Sequence, residues 1–479
     1  MRLQRFLALI SILACAAALV FAACSSSPKK GGEEKKRTVL LTEYDDARVG
    51  AEASRDVEAE IGVLDDPELE SYVNQIGKRL LRGVPRRSFQ YQFKVVDQLE
   101  PNAFALPGGY IFISRGLLTL ANSEDELANV IGHEIVHAAR RHAAARQDVE
   151  RGTSPLSMGW VRAANLAAYG RDMERTADRG GQQLAAAAGY DPMGMSTFLG
   201  SLGQMERLQI GRTRRPFFFD THPGSRGRSA ANAARAREIR WKRDPALGET
   251  HLSYLHRIEG LPLGERPEAG IFQENLFIHP DLDFQISFPP GWRTSNSNRA
   301  VGAVSPRGDA VVFLMADMPA GEPRKVAEAF VEKTKREFHV EVKQSKPIKI
   351  GELDAWRMRL EGGRMVAIVT FVPYRGMTWR ITGFSRSDVA KRYLPNTLNT
   401  ARSFRPLTEE QRNSIEVTRL ALVEARAGED LVALGNRTDN AWDPSRTAVL
   451  NGIFANHRFE AGDLVKIARV EPYSAKPPK

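Results

Sequence analysis

Cysteine is almost absent from this chain. Its 479 residues hold two, Cys15 and Cys24, both near the N-terminus. That excludes a disulfide framework and any cysteine-ligated zinc site further along. After the N-terminal segment there is also no apolar run approaching the ~18 residues needed to span a bilayer. No tandem repeat marks a solenoid. No nucleic-acid-binding motif accompanies the formal net charge of +10, and Lys and Arg are spread along the chain, so nucleic acid is not an expected partner. The basic balance suits an anionic neighbourhood such as lipid head groups or cell-wall polymer, or simply a solvated surface.

What is present begins with a secretory pattern. Arg2 and Arg5 form a short positive region, an apolar run follows from Phe6 to Ala23, and small residues precede Cys24 in Phe21-Ala22-Ala23-Cys24. This ending resembles a bacterial lipobox, which implies cleavage before Cys24 and lipid on it. The alternatives are cleavage before Cys15, which leaves a short apolar core, and an uncleaved membrane helix. Residues 1–23 are then signal and 24–39 a flexible tether rich in Ser, Gly, Lys and Glu. Ser25 stands where an Asp is associated with inner-membrane retention in some bacteria. The expected location is therefore the periplasmic face of the outer membrane, lipid-anchored.

The remainder predicts a multidomain α+β chain. Residues 40–245 read as mainly helical with a small sheet. Helices are expected near 45–64, 67–81, 123–147, 159–188 and 227–241, with strands at 90–96 and 110–113. Residues 246–271 hold Pro and Gly without periodicity, as a linker would. Residues 272–408 combine alternating strands with an amphipathic helix opening at Pro323, and this α+β domain resembles the PsbP-like fold. Residues 415–473 resemble a LysM module, a small βααβ fold that binds glycan, which makes peptidoglycan a possible partner. A small β-rich cap without a ligand is the alternative there.

The chemistry centres on His133-Glu134-Ile135-Val136-His137. Ser123 and Glu126 form a capping box, and Leu127, Val130 and Ile131 give this helix a buried face. The two imidazoles lie one turn apart, about 6 Å along the axis, and can share one metal. Glu134 beside them can take a proton from a water whose pKa zinc lowers toward about 7. A third ligand is still needed. The metzincin continuation is excluded because Arg140 and Ala143 stand where it requires Gly and His; His142 is one residue off and is expected to face solvent. Glu174 and Asp178 share a helix face four residues apart. Glu174 is the candidate third ligand, and Asp178 the acceptor for a ligand histidine's free N–H. One Zn2+ per chain is expected.

These residues, with Ala187-Ala188-Gly189-Tyr190-Asp191-Pro192 after them, resemble the gluzincin zinc-metallopeptidase family of CAAX prenyl proteases and HtpX. Within it, the likeness is to the periplasmic BepA-like and LoiP branch. Asn102-Ala103-Phe104-Ala105-Leu106-Pro107-Gly108-Gly109-Tyr110-Ile111 is similar to the family's segment at the active-site edge strand, so Asn102, Ala103, Gly109 and Tyr110 are candidate substrate-binding residues. Thr221-His222-Pro223, with Arg228 six residues after the histidine, is similar to another family motif. The resemblance implies endopeptidase action, with Glu134 as general base and Asp178 either supporting a metal ligand from behind or acting as an acid partner. It also implies that His222 approaches the metal from a loop, where it assists the reaction or occupies the open position. A turn histidine is the alternative. Arg228 either stabilises developing negative charge or pairs with a carboxylate.

The expected reaction is zinc-assisted hydrolysis of envelope polypeptides, misfolded or unassembled, paired with the strand near Tyr110 to Ile113. Two other functions stay open. One is an envelope chaperone or assembly factor with a latent protease site; the other is a peptidoglycan-binding scaffold.

Overall fold

The computed structural model of the protein describes residues 43–85, 88–145, 170–208, 218, 222, 227–297, 300–319, 321–337 and 339–475. The signal, Cys15, Cys24, the tether, Thr221 and Pro223 lie outside these residues. The chain is a mixed helix-and-sheet protein of several units. Among the described residues no helix is long and apolar enough to cross a membrane.

The first unit opens with helices α1 (Glu43–Glu60) and α2 (Pro67–Leu80). Asp66 caps α2 by accepting from the Leu69 N–H, and Pro67 occupies the first turn, where its missing N–H costs nothing. Leu69, Val73, Ile76 and Leu80 give α2 one buried face. Strands β1 (Gln92–Val96), β2 (Ala103–Leu106) and β3 (Tyr110–Ser114) follow, then helices α3 (Arg115–Leu120) and α4 (Glu124–Ala139). The sheet order is β1-β3-β2, with β3 parallel to β1 and antiparallel to β2.

This order corrects the expected substrate strand. Tyr110–Ser114 is hydrogen-bonded on both sides, so no further strand can pair with it. The edge on the β3 side is Ala103–Leu106. Alternating apolar residues mark both strands alike, and only tertiary pairing decides which is central.

Helix α4 is buried almost all round and packs on α2, β2 and helices α5 (Arg171–Ala187) and α6 (Gly194–Leu208). Its cap departs from the reciprocal box. The Ser123 hydroxyl accepts from Glu126 N–H, but the Glu126 carboxylate accepts from Asn122 N–H, one residue earlier. Helix α7 (Arg228–Glu238) and the short α8 (Leu252–Ile258) complete the unit. The stretch read as a linker is built into the fold: Tyr254, Leu255, Ile258 and Leu261 join the main core.

The second unit is a seven-stranded antiparallel sheet against a four-stranded one. Along Ala310–Pro319, Val312 and Leu314 face the core between the sheets, while Val311 and Phe313 face the helix Pro323–Glu337. The tail has strand Glu416–Glu424, helices Leu431–Thr438 and Pro444–Leu450, and strand Leu464–Pro472, the two strands antiparallel. It does not stand apart. Leu420, Trp442, Val449, Leu450 and Ala468 enter the main core of the first unit. Residues 260–263 add to its first strand through Gly260 N–H to Leu420 O, Leu420 N–H to Leu261 O and Leu263 N–H to Thr418 O, each 2.8 Å.

Candidate active site

Two helices carry most of the site, and two glycines let them meet. A Cβ on Gly181 of α5 would stand 2.7 Å from the His133 backbone nitrogen, and one on Gly132 of α4 would stand 3.0 Å from the Gly181 carbonyl oxygen. With hydrogen in both places the backbones pack close. Glu174 and Asp178 lie seven and three residues before Gly181, on the face turned to α4.

Four donors converge there. His133, His137, Glu174 and His222 are all buried, and each offers one ligand atom within 4.8 Å of the others. His137 Nε2 lies 3.0 Å from His133 Nε2. Glu174 Oε1 lies 3.4 Å from His137 Nε2 and 3.2 Å from His222 Nδ1, and its Oε2 is 3.6 Å from His133 Nε2. His222 Nδ1 is 3.3 Å from His133 Nε2. A tetrahedral zinc with ligands at about 2.0–2.1 Å has ligand-to-ligand edges of about 3.3 Å, so the donor set and its spacing fit that ion.

Glu134 stands beside the cluster with a fully buried carboxylate, and neither oxygen has a hydrogen-bond donor among the described residues. Its Oε1 is 3.4 Å from His222 Nε2. Burial raises its carboxyl above the ordinary value. For Glu174 burial also pushes upward, but the imidazoles of His222, His133 and His137 hold it far below the carboxylate range. Burial lowers the His133 imidazole, and hydrogen bonds to Asp178 and Glu174 more than offset this, raising it to about 9. Burial takes His137 well below its usual value, against the pull of Glu174.

Asp178 Oδ1 lies 3.1 Å from His133 Nδ1. Arg228 grips the same carboxylate with Nη2 at 2.6 Å and Nε at 3.0 Å, and reaches Glu174 Oε2 with Nη1 at 2.9 Å. It is thus a carboxylate partner. Asn232 donates a further hydrogen bond to Asp178 Oδ2 at 2.9 Å.

His222 is held from its own loop. Its ring stacks on Phe218 at 4.2 Å between centroids and 17° between planes, and its N–H donates to the Phe218 carbonyl at 2.8 Å. Phe218 N–H in turn donates to the Pro101 carbonyl, just before β2. His222 Nε2 is 3.2 Å from the Ala103 carbonyl, which joins the donor cluster to the sheet edge. Asn102 is buried at the head of β2, and its N–H donates to the Ser114 hydroxyl oxygen at 2.8 Å. Gly109, at φ +84°, turns the chain into Tyr110 beneath the Phe89 ring.

Sequence reasoning missed two residues. His142 is buried, not solvent-facing, with Nδ1 2.9 Å from His137 Nδ1. Helical periodicity pointed it outward; the turn at Arg141, φ +52°, brings it back. Asn232 carried a usable signal, since it lies four residues after Arg228 on the same helix face.

Residues 67–167 and 156–236 match peptidase family M48. The chain is 30% identical over 204 residues to the beta-barrel assembly-enhancing protease of Escherichia coli, covering 37% of this chain and 41% of that protein. It is 30% identical over 171 residues to mitochondrial metalloendopeptidase OMA1 of Schizosaccharomyces pombe, covering 33% and 50% respectively. The chain thus spans half or less of the length of these relatives. A cyanobacterial PsbP from Synechocystis is similar at 11% identity and a TM-score of 0.24, covering 30% of this chain and 99% of that one, a likeness too slight to bear on the fold. The helical unit that carries the site thus matches peptidase family M48 and is similar to the beta-barrel assembly-enhancing proteases.

Proposed function

We propose that this M48 unit is a zinc-dependent endopeptidase of the bacterial cell envelope, acting on misfolded or unassembled envelope proteins. The observation that carries the reading is the buried Glu134 carboxylate, without a hydrogen-bond donor among the described residues, beside the converging atoms of His133, His137 and Glu174. Those three residues would hold the ion. Zinc there supplies Lewis acidity, bringing a water's pKa toward about 7 and polarising a carbonyl.

The chain's own residues do the rest. Glu134, its pKa raised by burial, takes the proton of the attacking water and passes it to the leaving amine nitrogen. Asp178 accepts from His133 Nδ1–H and so fixes the tautomer that leaves Nε2 as a donor. Arg228 neutralises Asp178 and Glu174 together and keeps both ionised in a buried site. An extended substrate is met by Asn102, Ala103, Gly109 and Tyr110, of which Ala103 stands next to the donor cluster through its carbonyl, 3.2 Å from His222 Nε2.

Lipid on Cys24 would hold the enzyme at the outer membrane, and glycan binding by the tail would bring it to peptidoglycan. The envelope clients are inferred from the relative named as a beta-barrel assembly-enhancing protease. One observation favours a second reading, a latent protease with chaperone character. His222 Nδ1 stands within hydrogen-bond distance of both His133 and Glu174, where it would fill the open ligand position. Cleavage of an unfolded protein such as casein, abolished by a chelator and restored by zinc, is the expected result. Cleavage that persists with the chelator contradicts a metallopeptidase, and cleavage that appears only in His222→Ala supports latency.

A further inference from the structure

The turn that returns His142 to the site is gripped from outside the two site helices. Arg141 stands there at φ +52°, a conformation that a non-glycine residue keeps only where its surroundings hold it. Its guanidinium reaches α1. Nε meets Asp46 Oδ2, and Nη2 meets Asp46 Oδ1 at 3.1 Å. A two-point contact of this kind fixes orientation as well as distance. The Asp46 side chain is only 4% exposed, so the guanidinium also satisfies a charge that burial would otherwise penalise.

The grip is relayed to the metal ligands. One residue after Arg141, His142 sets its Nδ1 2.9 Å from His137 Nδ1, and His137 turns Nε2 to the donor cluster. Helix α1 is itself seated on the opposite wall of the site. A Cβ on Gly50 would stand 1.8 Å from the Pro107 carbonyl oxygen, and one on Gly108 would stand 2.9 Å from the Asp46 carbonyl oxygen. Bare glycine in both places lets α1 lie flush on the turn between β2 and β3. Asp46 is thereby anchored to the turn that follows β2, whose Ala103 carbonyl meets His222.

We propose that Asp46 is a positioning residue of the metal centre. It acts through Arg141, whose turn it holds, and through His142, which that turn sets against the ligand His137. Helix α1 thus takes part in metal binding although none of its atoms is among the four donors. The inference rests on reading the four-donor cluster as a zinc peptidase centre.

The test uses the full mature chain. Competition against a chromogenic chelator reads zinc affinity, and the visible spectrum of the cobalt(II) form reads ligand geometry. Asp46→Ala should weaken zinc binding about tenfold and alter the cobalt bands, because partners of a ligand imidazole contribute on that scale. Glycine adopts positive φ without help. Arg141→Gly added to Asp46→Ala should therefore return zinc affinity to within about threefold of the parent. An ion pair that served stability alone would show no such rescue. Unchanged zinc affinity and cobalt spectrum in Asp46→Ala overturn the proposal, and so does a folded double variant as weak as Asp46→Ala. If Asp46→Ala does not fold, Arg141→Ala and Arg141→Gly decide, since alanine is strained at φ +52°. Glycine should then bind zinc about fivefold more tightly than alanine, and equal affinities overturn the proposal. A parent chain that takes up no zinc overturns the peptidase-centre reading and this proposal with it. A parent that takes up zinc, matched by its variants, overturns this proposal alone.

Discussion

The Nδ1 atoms of His137 and His142 lie 2.9 Å apart, both buried. One must donate and the other accept. With His137 Nε2 turned to the other donors, its Nδ1 carries the proton and His142 receives it. His142 is then to His137 what Asp178 is to His133. Because such partners orient a ligand imidazole, His142→Ala should weaken zinc binding by about 10- to 100-fold. Competition against a chromogenic chelator measures this; unchanged affinity would remove His142 from the account.

Helix spacing should matter as much as the ligands. Gly181→Val puts a branched side chain 2.7 Å from the His133 nitrogen, where only backbone could yield. The α4–α5 separation must increase, drawing Glu174 away from His133 and His137. Zinc content should fall sharply, with stability lower by about 1–3 kcal/mol. Metal analysis beside a urea melt reads both.

Arg228 is buried between two carboxylates, at 2.6 Å from Asp178 and 2.9 Å from Glu174. Arg228→Leu leaves those charges without their guanidinium and should cost about 3–5 kcal/mol. Asn232→Ala removes only one hydrogen bond from Asp178 and should cost about 1–3 kcal/mol. Denaturant midpoints order the two; equal costs would contradict the assignment.

Lys466 supplies a pH signature at the seam between tail and M48 unit. Its ammonium is fully buried and donates to the Thr119 and Ala121 carbonyls at 2.8 and 2.9 Å, with Glu126 as the neighbouring acid. Burial lowers its pKa to about 7, against the pull of Glu126. Free lysine titrates near about 10.4, so above the folded value the unfolded chain binds more protons, and this group's contribution to stability rises with pH through that window. Below about pH 7 both states are protonated and the contribution is constant. Melts of the parent and Lys466→Met between pH 7 and 10 should therefore differ in slope, the variant lacking this rise.

These cases show where sequence is legible. Helix α4 could be read because Ser123, the apolar stripe and His133/His137 all follow one local period. Glu174 and Asp178 could be paired because they sit four apart on one helix. The centrality of β3 could not be read, since alternation is the same in a central and an edge strand. Nor could the burial of His142, which depends on a left-handed turn at Arg141. Lys466 was hidden for a different reason. Lysine is rarely buried, and only the helix end it meets supplies carbonyls to receive it.

The most direct test of the central claim is zinc content measured together with casein cleavage, in the mature parent and in Glu134→Gln. The account predicts close to one zinc per chain in both proteins and cleavage by the parent alone. Absence of zinc from both, or equal cleavage by the two, would contradict it.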